Sequence, residues 1–331
     1  MPKIVALPNV EACASLFSVE SWQTLRSLGD VVANTDSNSL SDEKAAELLT
    51  DADVCITSWG SPQLSGGVIF YAPDLKLHCH AAGTVKPYVS DALWSRGVMV
   101  TSASAAIAVD VAQTTLGWMI IAAKRALVAN IATHEGGWKG EMTMPAGDLT
   151  GSRIGIIGAS HVGREVIKLL KPFDVEIMLY DPYVSAEGAE ELGTEKLGLR
   201  ELLETSDIVS LHVPNTPETK NMLNSHNLPL MKDGAAFINT ARGASVDEDA
   251  LVKELETGRI WAFIDVTDPE PPAANHAFRR LPNVVLTPHI AGCVGRGRKR
   301  IGEYVVEEVR RFVAGEPQRY QITREMLHRI G

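Results

Sequence analysis

The stretch that decides the fold is Gly155-Ile156-Ile157-Gly158-Ala159-Ser160-His161-Val162-Gly163. It joins an apolar, strand-like run at residues 153–158 to a segment of helical period at residues 161–171, which Pro172 ends. A glycine at position 158 permits a tight turn, and a glycine at position 163 lets the helix pack close to the sheet. The helix start then presents free N–H groups and a positive dipole end to a phosphate. The stretch therefore predicts a dinucleotide-binding strand–turn–helix unit.

One position departs from the usual pattern, because Ser160 stands where a second glycine is expected. A Cβ there crowds the approach of the backbone to a pyrophosphate, although the hydroxyl can donate a hydrogen bond in return. The next strand ends at Asp181, which lies 23 residues after Gly158. A carboxylate there accepts hydrogen bonds from ribose hydroxyls and repels a 2′-phosphate, which favours NAD over NADP. The alternative is a solvated aspartate in the turn before Pro182.

Short apolar runs alternate with helical segments on both sides of this stretch. Such alternation predicts α/β units with parallel sheets, because a helix connects each pair of parallel strands. The other predicted strands are residues 3–7, 31–33, 54–57, 75–79, 98–101, 175–180, 208–213, 235–239, 261–266 and 284–286. The other predicted helices are residues 18–28, 41–49, 87–94, 105–132, 247–256 and 299–314. The helix at 105–132 is apolar nearly all round, so it is expected to be buried on more than one side.

Composition excludes several classes of protein. A chain of 331 residues is long for one core and predicts two domains, and its net charge of −10 argues against general affinity for nucleic acid or an anionic membrane. The four cysteines (Cys13, Cys55, Cys79 and Cys293) form no close pair and no metal-ligand spacing, which is typical of reduced thiols in a cytoplasmic protein. No signal peptide is expected at the N-terminus. The longest unbroken apolar stretch is residues 116–123, short of the about 20 residues that span a bilayer.

The most specific blocks lie downstream: residues 230–251 with Arg242 and Gly243, residues 264–266, Pro269-Glu270-Pro271, and residues 281–292 with His289. In this order and spacing the chain resembles the D-isomer-specific 2-hydroxyacid dehydrogenases, from about residue 75 to residue 316. The resemblance implies an α/β fold of two doubly wound parallel-sheet domains. A flavodoxin-like substrate domain would comprise residues 1–104 and 290–331, and an inserted Rossmann NAD-binding domain residues 105–289.

By position, the resemblance assigns catalytic roles to Arg242, Glu270 and His289. A planar guanidinium can bind both the carboxylate and the carbonyl of a 2-keto acid. Hydride transfer to C2 leaves an alkoxide that needs a proton, which a histidine supplies near neutral pH and accepts back in the oxidative direction. A carboxylate beside the imidazole keeps the ring oriented and protonated. Each residue alone also fits an ordinary structural role, but together at strand ends of one sheet they predict a catalytic group.

The resemblance also assigns cofactor and substrate contacts. The cofactor contacts are Thr115, Gly158, Ser160, His161, Val162, Gly163, Asp181, His212, Val213, Pro214, Thr240, Ala241, Arg242, Asp265, His289 and Gly292. Of these, Thr115, His161 and His212 fit a structural role equally well. The substrate contacts are Ala82, Gly83, Thr84 and Arg242, where the first three match the family loop whose backbone N–H groups bind the substrate carboxylate. Family members commonly carry further glycines and an acidic residue in that loop, where this chain has Thr84 and Lys86.

These observations predict an NAD-dependent oxidoreductase that moves a hydride between nicotinamide and C2 of a small D-2-hydroxy acid or 2-keto acid. We expect a homodimer that packs through residues 105–132, with no nucleic-acid or membrane partner. Three alternatives remain: an enzyme that uses NADP, a dehydrogenase-like protein that senses NAD(H) and recruits partners, and a dehydrogenase for an acid such as formate or phosphite. No metal site is expected, because His78 and His80 share one face of a strand without a third ligand at suitable spacing.

Overall fold

A computed structural model describes residues 1–138 and 147–330 of the chain, which forms two compact units. Unit 1 comprises Met1–Ile107 and Cys293–Gly331, and unit 2 comprises Ala108–Gly292. Residues 139–146 of the predicted NAD-binding domain and residue 331 of the predicted substrate domain lie outside the described residues. The second boundary falls after Gly292 rather than after residue 289, because the Asp265 carboxylate accepts hydrogen bonds from the N–H groups of Ile290 and Ala291.

The elements follow one another in the order of a repeated α/β pattern. Unit 1 starts with β1 (Lys3–Ala6), α1 (Val10–Leu16), α2 (Val19–Leu28), β2 (Asp30–Ala33), α3 (Asp42–Leu49), β3 (Val54–Thr57), α4 (Gly66–Phe70), β4 (Leu77–His80), α5 (Asp91–Ser95) and β5 (Met99–Ser102). Then come α6 (Ser104–Ala123), α7 (Ala126–His134), β6 (Arg153–Ile157), α8 (His161–Leu170), β7 (Glu176–Tyr180), α9 (Ala186–Leu192), β8 (Glu195–Lys196), α10 (Leu199–Thr205), β9 (Ile208–Leu211), β10 (Ala236–Asn239), α11 (Glu248–Glu256), β11 (Trp261–Ile264) and β12 (Val284–Leu286). The chain returns to unit 1 in α12 (Arg296–Val313) and β13 (Gln321–Ile322).

The sheet of unit 1 has the strand order β13-β5-β4-β3-β1-β2. Its strands pair in parallel except for β13, which runs antiparallel to β5 and was not predicted. Side chains alternate between two cores, so that Ile4 and Ala6 pack on one face of the sheet and Val5 on the other. The order β2-β1-β3-β4-β5 is the flavodoxin-like one and confirms that prediction. The loops after its strands therefore carry any ligand-binding groups of this unit.

The sheet of unit 2 has the order β12-β11-β10-β9-β6-β7-β8 and is parallel throughout. This is the predicted doubly wound Rossmann arrangement. The direction of winding reverses between β6 and β9, and open α/β sheets bind ligands beyond the carboxyl ends of the strands at such a point. Gly158 follows β6 and His212 follows β9, so the fingerprint turn lies at this position.

Two predicted helices differ most from those observed, and the helix predicted at residues 299–314 begins earlier, at Arg296. The prediction of a single helix at residues 105–132 is wrong. Helix α6 ends at Ala123, and Arg125 adopts a left-handed conformation with φ of 51° before α7 begins. The Arg125 guanidinium donates to the Gly234 carbonyl, which helps to hold the break. The helix predicted at residues 87–94 begins only at Asp91, because the Ser90 hydroxyl caps it by accepting from the Leu93 N–H.

Within the described part of the chain, α6 is the one helix whose length and composition would suffice to cross a membrane. Helices in the cores of soluble proteins pass the same test. Ala112, Met119 and Ala122 of α6 pack in the core of unit 2 against strand residues such as Ile154 and Ile238. This packing buries one face of the apolar helix, whereas Ile120 on another side of it is exposed in the chain.

Candidate active site

The fingerprint turn packs too closely for side chains at its two outer glycines. Gly158 has a φ of +98°, and a Cβ on it would lie 2.9 Å from the His212 carbonyl oxygen. A Cβ on Gly163 would overlap the carbonyl oxygen of Gly158. Ser160 is the N-cap of α8, and its hydroxyl accepts from the Gly163 N–H at 3.4 Å. The turn therefore has the compact form that lets a phosphate approach the start of α8.

Asp181, just after β7, is fixed beside this turn. One carboxylate oxygen accepts from the Ala159 N–H at 2.7 Å, and the other accepts from the Tyr183 N–H at 2.8 Å. Each oxygen has a further lone pair, so the group can still accept a hydrogen bond from a sugar hydroxyl. The residues present thus fit the adenosine end of a dinucleotide.

The other predicted cofactor residues of unit 2 lie at or near the carboxyl ends of neighbouring strands. His161 and Val162 open α8; His212, Val213 and Pro214 follow β9; Thr240, Ala241 and Arg242 follow β10; Asp265 follows β11; His289 and Gly292 follow β12. Thr115, on α6, is brought to this group by a hydrogen bond of 3.2 Å between its hydroxyl and that of Thr240. The structure therefore places these residues at one edge of the sheet, except for Thr115, His161 and Val162, which lie on helices.

His212 has a structural environment. Its ring is buried, and Nε2 lies 2.9 Å from the Ser210 hydroxyl. Burial lowers the pKa of His212 to about 3, so the ring is neutral near pH 7. A neutral ring packed in this way supports the turn around Gly158 instead of exchanging protons.

The turn that carries Arg242 is held by Asn239 and allowed by Gly243. The Asn239 amide accepts from the Ala241 N–H at 3.0 Å and donates to the Arg242 carbonyl at 3.1 Å. A Cβ on Gly243 would overlap the backbone of Thr267 and lie 2.5 Å from the Asp268 nitrogen. Glycine therefore lets this turn pack directly on the turn that leads to Glu270.

Glu270 and His289 form the pair that the sequence predicted. Nδ1 of His289 lies 2.9 Å from Oε2 of Glu270, and Oε1 of Glu270 accepts from the Thr267 N–H at 3.2 Å. Because a carboxylate only accepts hydrogen bonds, Nδ1 is the donor in this pair. Nε2 is then the ring atom left for exchange with a substrate, and both side chains are exposed.

Asp265 holds the loop that carries His289. Its Oδ1 accepts from the Thr287 hydroxyl at 2.6 Å and the Ile290 N–H at 2.8 Å, and its Oδ2 accepts from the Ala291 N–H at 2.8 Å. His289 has a φ of +53°, a strained conformation for a residue with a side chain, and needs such restraint. The sequence assigned Asp265 only to the cofactor, and missed this role.

A second carboxylate–histidine pair was also missed. Glu248, at the start of α11, lies 3.2 Å from Nε2 of His276 and accepts from the Asp268 N–H at 2.8 Å. His276 accepts through Nδ1 from the Phe278 N–H, so its proton is on Nε2. Burial raises the pKa of Glu248 to about 7, and nearby acids add to the effect. The sequence signal is an acidic run at a helix start, which does not differ from an ordinary cap.

Unit 1 contains the predicted carboxylate-binding loop, Ala82, Gly83 and Thr84, directly after β4. Beneath it, the Thr57 hydroxyl lies 2.7 Å from Nε2 of His78 and 2.8 Å from Nδ1 of His80. Burial lowers the pKa of His78 to about 3 and that of His80 well below its ordinary value. Among residues 1–138 and 147–330, no group of three or more His, Cys, Asp or Glu side chains is placed to hold a metal ion.

Comparison with known proteins connects this arrangement to a family. Residues 116–291 match the sequence profile of the D-isomer specific 2-hydroxyacid dehydrogenase NAD binding domain. A glyoxylate reductase of Korarchaeum cryptofilum is 35% identical over 275 residues, which cover 82% of this chain and 82% of that protein. A D-3-phosphoglycerate dehydrogenase of Methanocaldococcus jannaschii is 33% identical over 90% of this chain.

The match to the second relative covers 56% of its length, so the chain spans about half of that protein. Among solved structures, a phosphoglycerate oxidoreductase from Rhizobium etli aligns with a TM-score of 0.84 and 27% identity, covering 98% of this chain and 99% of that one. The relation therefore extends over both units and not only over the fingerprint.

Proposed function

Since the chain belongs to the D-isomer specific 2-hydroxyacid dehydrogenase family, we propose that it is an NAD-dependent dehydrogenase acting at C2 of a D-2-hydroxy acid or its 2-keto partner. The observation that carries the proposal is the 2.9 Å hydrogen bond between His289 and Glu270, at the strand ends of an NAD-binding domain. This bond leaves Nε2 of an exposed imidazole available for a proton transfer.

The reduced nicotinamide, when bound, supplies a hydride to C2 of the keto acid. Nε2 of protonated His289 gives its proton to the carbonyl oxygen, so that the products are the hydroxy acid and the oxidised cofactor. The Glu270 carboxylate stabilises the imidazolium and keeps Nε2 directed away from itself. Arg242 binds the substrate through its guanidinium. In the reverse direction, neutral His289 accepts the proton of the hydroxyl.

We propose NAD rather than NADP on the position of Asp181. Its carboxylate is fixed beside the fingerprint turn by two backbone N–H groups, so a 2′-phosphate would meet a negative charge that cannot move away. The substitution Asp181→Ser should erode the preference for NADH, measured as the ratio of the dissociation constants of NADPH and NADH. An unmodified protein that binds NADPH more tightly than NADH would contradict the assignment.

The substrate is proposed as a small 2-keto or 2-hydroxy acid. The names of the two relatives refer to glyoxylate and to 3-phosphoglycerate, which share a carboxylate next to the reacting carbon. The test is oxidation of NADH by the purified protein with a panel of 2-keto acids, with NADPH as the comparison. Binding of NADH without turnover of any acid would favour a sensing protein over an enzyme.

Assembly and location are part of the same proposal. A cytoplasmic homodimer that packs through α6 and α7 accounts for the exposure of Ile120 and Ile131 on these apolar helices. The cytoplasmic location is proposed from the cysteine pattern, in which none of the four cysteines is paired. Light scattering that gives the mass of one chain at micromolar concentration would contradict the dimer.

A further inference from the structure

Three successive backbone carbonyl groups in the loop after β4 accept hydrogen bonds from residues at the ends of the neighbouring strands β3 and β5. The Ala81 carbonyl accepts from the Ser58 hydroxyl at 2.9 Å, and the Ala82 carbonyl accepts from the Ala103 N–H at 3.1 Å. The Gly83 carbonyl accepts from the Ser102 hydroxyl at 2.6 Å. Ser58 follows β3 and Ser102 ends β5, the strands that flank β4. The two serines therefore hold the loop from both neighbouring strands.

The direction of the N–H groups follows from these bonds. In a trans peptide the C=O of one residue and the N–H of the next point in opposite directions. Because the carbonyls of residues 81–83 are bound to the sheet, the N–H groups of Ala82, Gly83 and Thr84 point away from those partners. Within the described residues these N–H groups donate to no protein acceptor. The loop thus presents successive donors that suit a carboxylate.

Ser102 makes more of these connections than any other side chain at the loop. Its hydroxyl donates to Gly83, lies 3.3 Å from the Ala82 carbonyl, and accepts from the Ser104 N–H at 3.1 Å at the start of α6. The side chain is buried, so water does not replace these bonds when the hydroxyl is removed. Its single hydrogen thus fixes the peptide plane whose N–H belongs to Thr84.

We propose that Ser102 is a positioning residue that, together with Ser58 and the Ala103 N–H, directs the N–H groups of Ala82, Gly83 and Thr84 toward the carboxylate of the substrate. The inference rests on the proposed function, since it assumes a 2-keto acid substrate. Ser58 assists by holding the first peptide plane of the loop. The neutral imidazole of His80 packs beneath, so peptide dipoles and not a cation of this ring meet the carboxylate.

The experiment compares Ser102→Ala with the unmodified protein on glyoxylate, pyruvate and phenylpyruvate. All three acids carry the same carboxylate, so KM should rise by a similar factor for each, roughly tenfold for one misplaced set of hydrogen bonds. Turnover should change little, because the carboxylate is bound in the ground state and in the transition state alike. The NADH dissociation constant should stay unchanged, since the fingerprint lies in unit 2.

Control variants separate positioning from general damage. Ser102→Thr keeps the hydroxyl and should keep KM near its original value. Thr101→Val removes a buried hydroxyl one residue earlier on β5, whose partner is Cys79, and should also leave KM unchanged. Ser58→Ala, which frees one carbonyl, should raise KM by a smaller factor and provides the measurement if Ser102→Ala does not fold.

Each result decides the inference. The inference would be overturned if Ser102→Ala raised KM by widely different factors for the three acids, or lowered kcat instead of raising KM. An equal rise of KM in Thr101→Val would overturn it as well. If the unmodified protein reduces none of the acids, the proposed function fails, and binding of oxamate in the presence of NADH becomes the measurement. Oxamate binding that Ser102→Ala weakens would then support the loop assignment, whereas an absence of binding would overturn it too.

Discussion

The described part of unit 2 contains two carboxylate–histidine pairs with similar N–O distances that differ in their exposure. Glu270 and His289 are joined at 2.9 Å, with side chains that are 41% and 53% exposed. Glu248 and His276 are joined at 3.2 Å, with side chains that are 13% and 21% exposed. The first pair leaves a ring nitrogen open to a ligand. In the second pair, Glu248 also accepts from the Asp268 N–H, and Nδ1 of His276 accepts from the Phe278 N–H.

The comparison indicates that access, and not the type of side chain, separates the proposed catalytic pair from a supporting one. Burial raises the pKa of Glu248 to about 7, and its hydrogen bond to the Asp268 N–H holds the turn that leads to Glu270. The buried pair thus stabilises the backbone of this turn and has no ring nitrogen left for a ligand. Substitutions in the exposed pair should therefore mainly change activity, and substitutions in the buried pair should mainly change stability.

The largest expected effect is on turnover. His289→Gln removes the proton donor and should lower the rate of keto acid reduction by roughly 100-fold or more at every pH. His276→Gln, the matched change in the buried pair, should keep the rate within about threefold because that ring meets no substrate. Steady-state rates with NADH measure both. A His289→Gln variant that retains its activity would remove His289 as the proton donor.

The next largest effect is expected from the contact between the turn that carries Arg242 and the turn that leads to Glu270. Gly243→Ala adds a Cβ that overlaps the Thr267 backbone, so the Arg242 turn and the Glu270 turn must separate. Activity should fall by about tenfold, and the free energy of unfolding by about 1–3 kcal/mol, the usual effect of overpacking. Gly198→Ala, at the N-cap of α10, has an ordinary φ of −69° and open space around its Cβ, and serves as the matched control. An unchanged rate in Gly243→Ala would show that this contact does not set the site geometry.

Matched substitutions should distinguish the two carboxylates. Glu270→Gln replaces the charged acceptor of the His289 Nδ1 proton by a neutral amide, which holds the ring less firmly, so the rate of keto acid reduction should fall by about tenfold. Glu248→Gln changes a side chain that binds backbone and His276, and should keep the rate within about threefold. The measurement is kcat/KM for a 2-keto acid with NADH in the three proteins at one pH. An equal loss in both variants would assign the effect to a general change of the turn.

The smallest effect is on stability. The pKa of Glu248 is raised to about 7 in the folded chain from an ordinary 4.5, so the folded state binds more protons between these values. The free energy of unfolding should therefore fall as pH rises through this window, by about 1–3 kcal/mol more than in Glu248→Gln. Urea unfolding near pH 5 and near pH 8 tests the difference. Equal pH dependence in the two proteins would contradict the raised pKa.

Sequence reasoning located the residues whose types and spacing are tied to chemistry. Gly158, Asp181, Arg242, Glu270 and His289 follow strands in the predicted order, and the structure places them at strand ends of one sheet. It also predicted that Glu270 would meet His289, which the 2.9 Å bond agrees with. Gly158 and Asp181 were accessible because the alternation of strands and helices fixes where each strand ends, whereas Arg242, Glu270 and His289 were assigned from the resemblance to the family.

The residues that were missed depend on contacts between distant segments. Glu248 and His276 meet only because α11 and the turn before Phe278 pack together, and Ser102 reaches Gly83 only because β5 pairs with β4. The break before α7 was missed for a different reason, since Arg125 is neither glycine nor proline and adopts a left-handed conformation in its tertiary surroundings. No local pattern records any of these features.

By itself the sequence determined the two α/β units and the fingerprint turn, because periodicity and motif spacing are local properties of the chain, and its resemblance to the family predicted the Glu270–His289 pair. Only the tertiary structure decided which carboxylate–histidine pair is exposed, which glycine lets two turns touch, and which serines direct the N–H groups of the carboxylate loop. Burial and hydrogen-bond direction depend on what packs around a group in space. They are therefore set by residues that lie far apart along the chain.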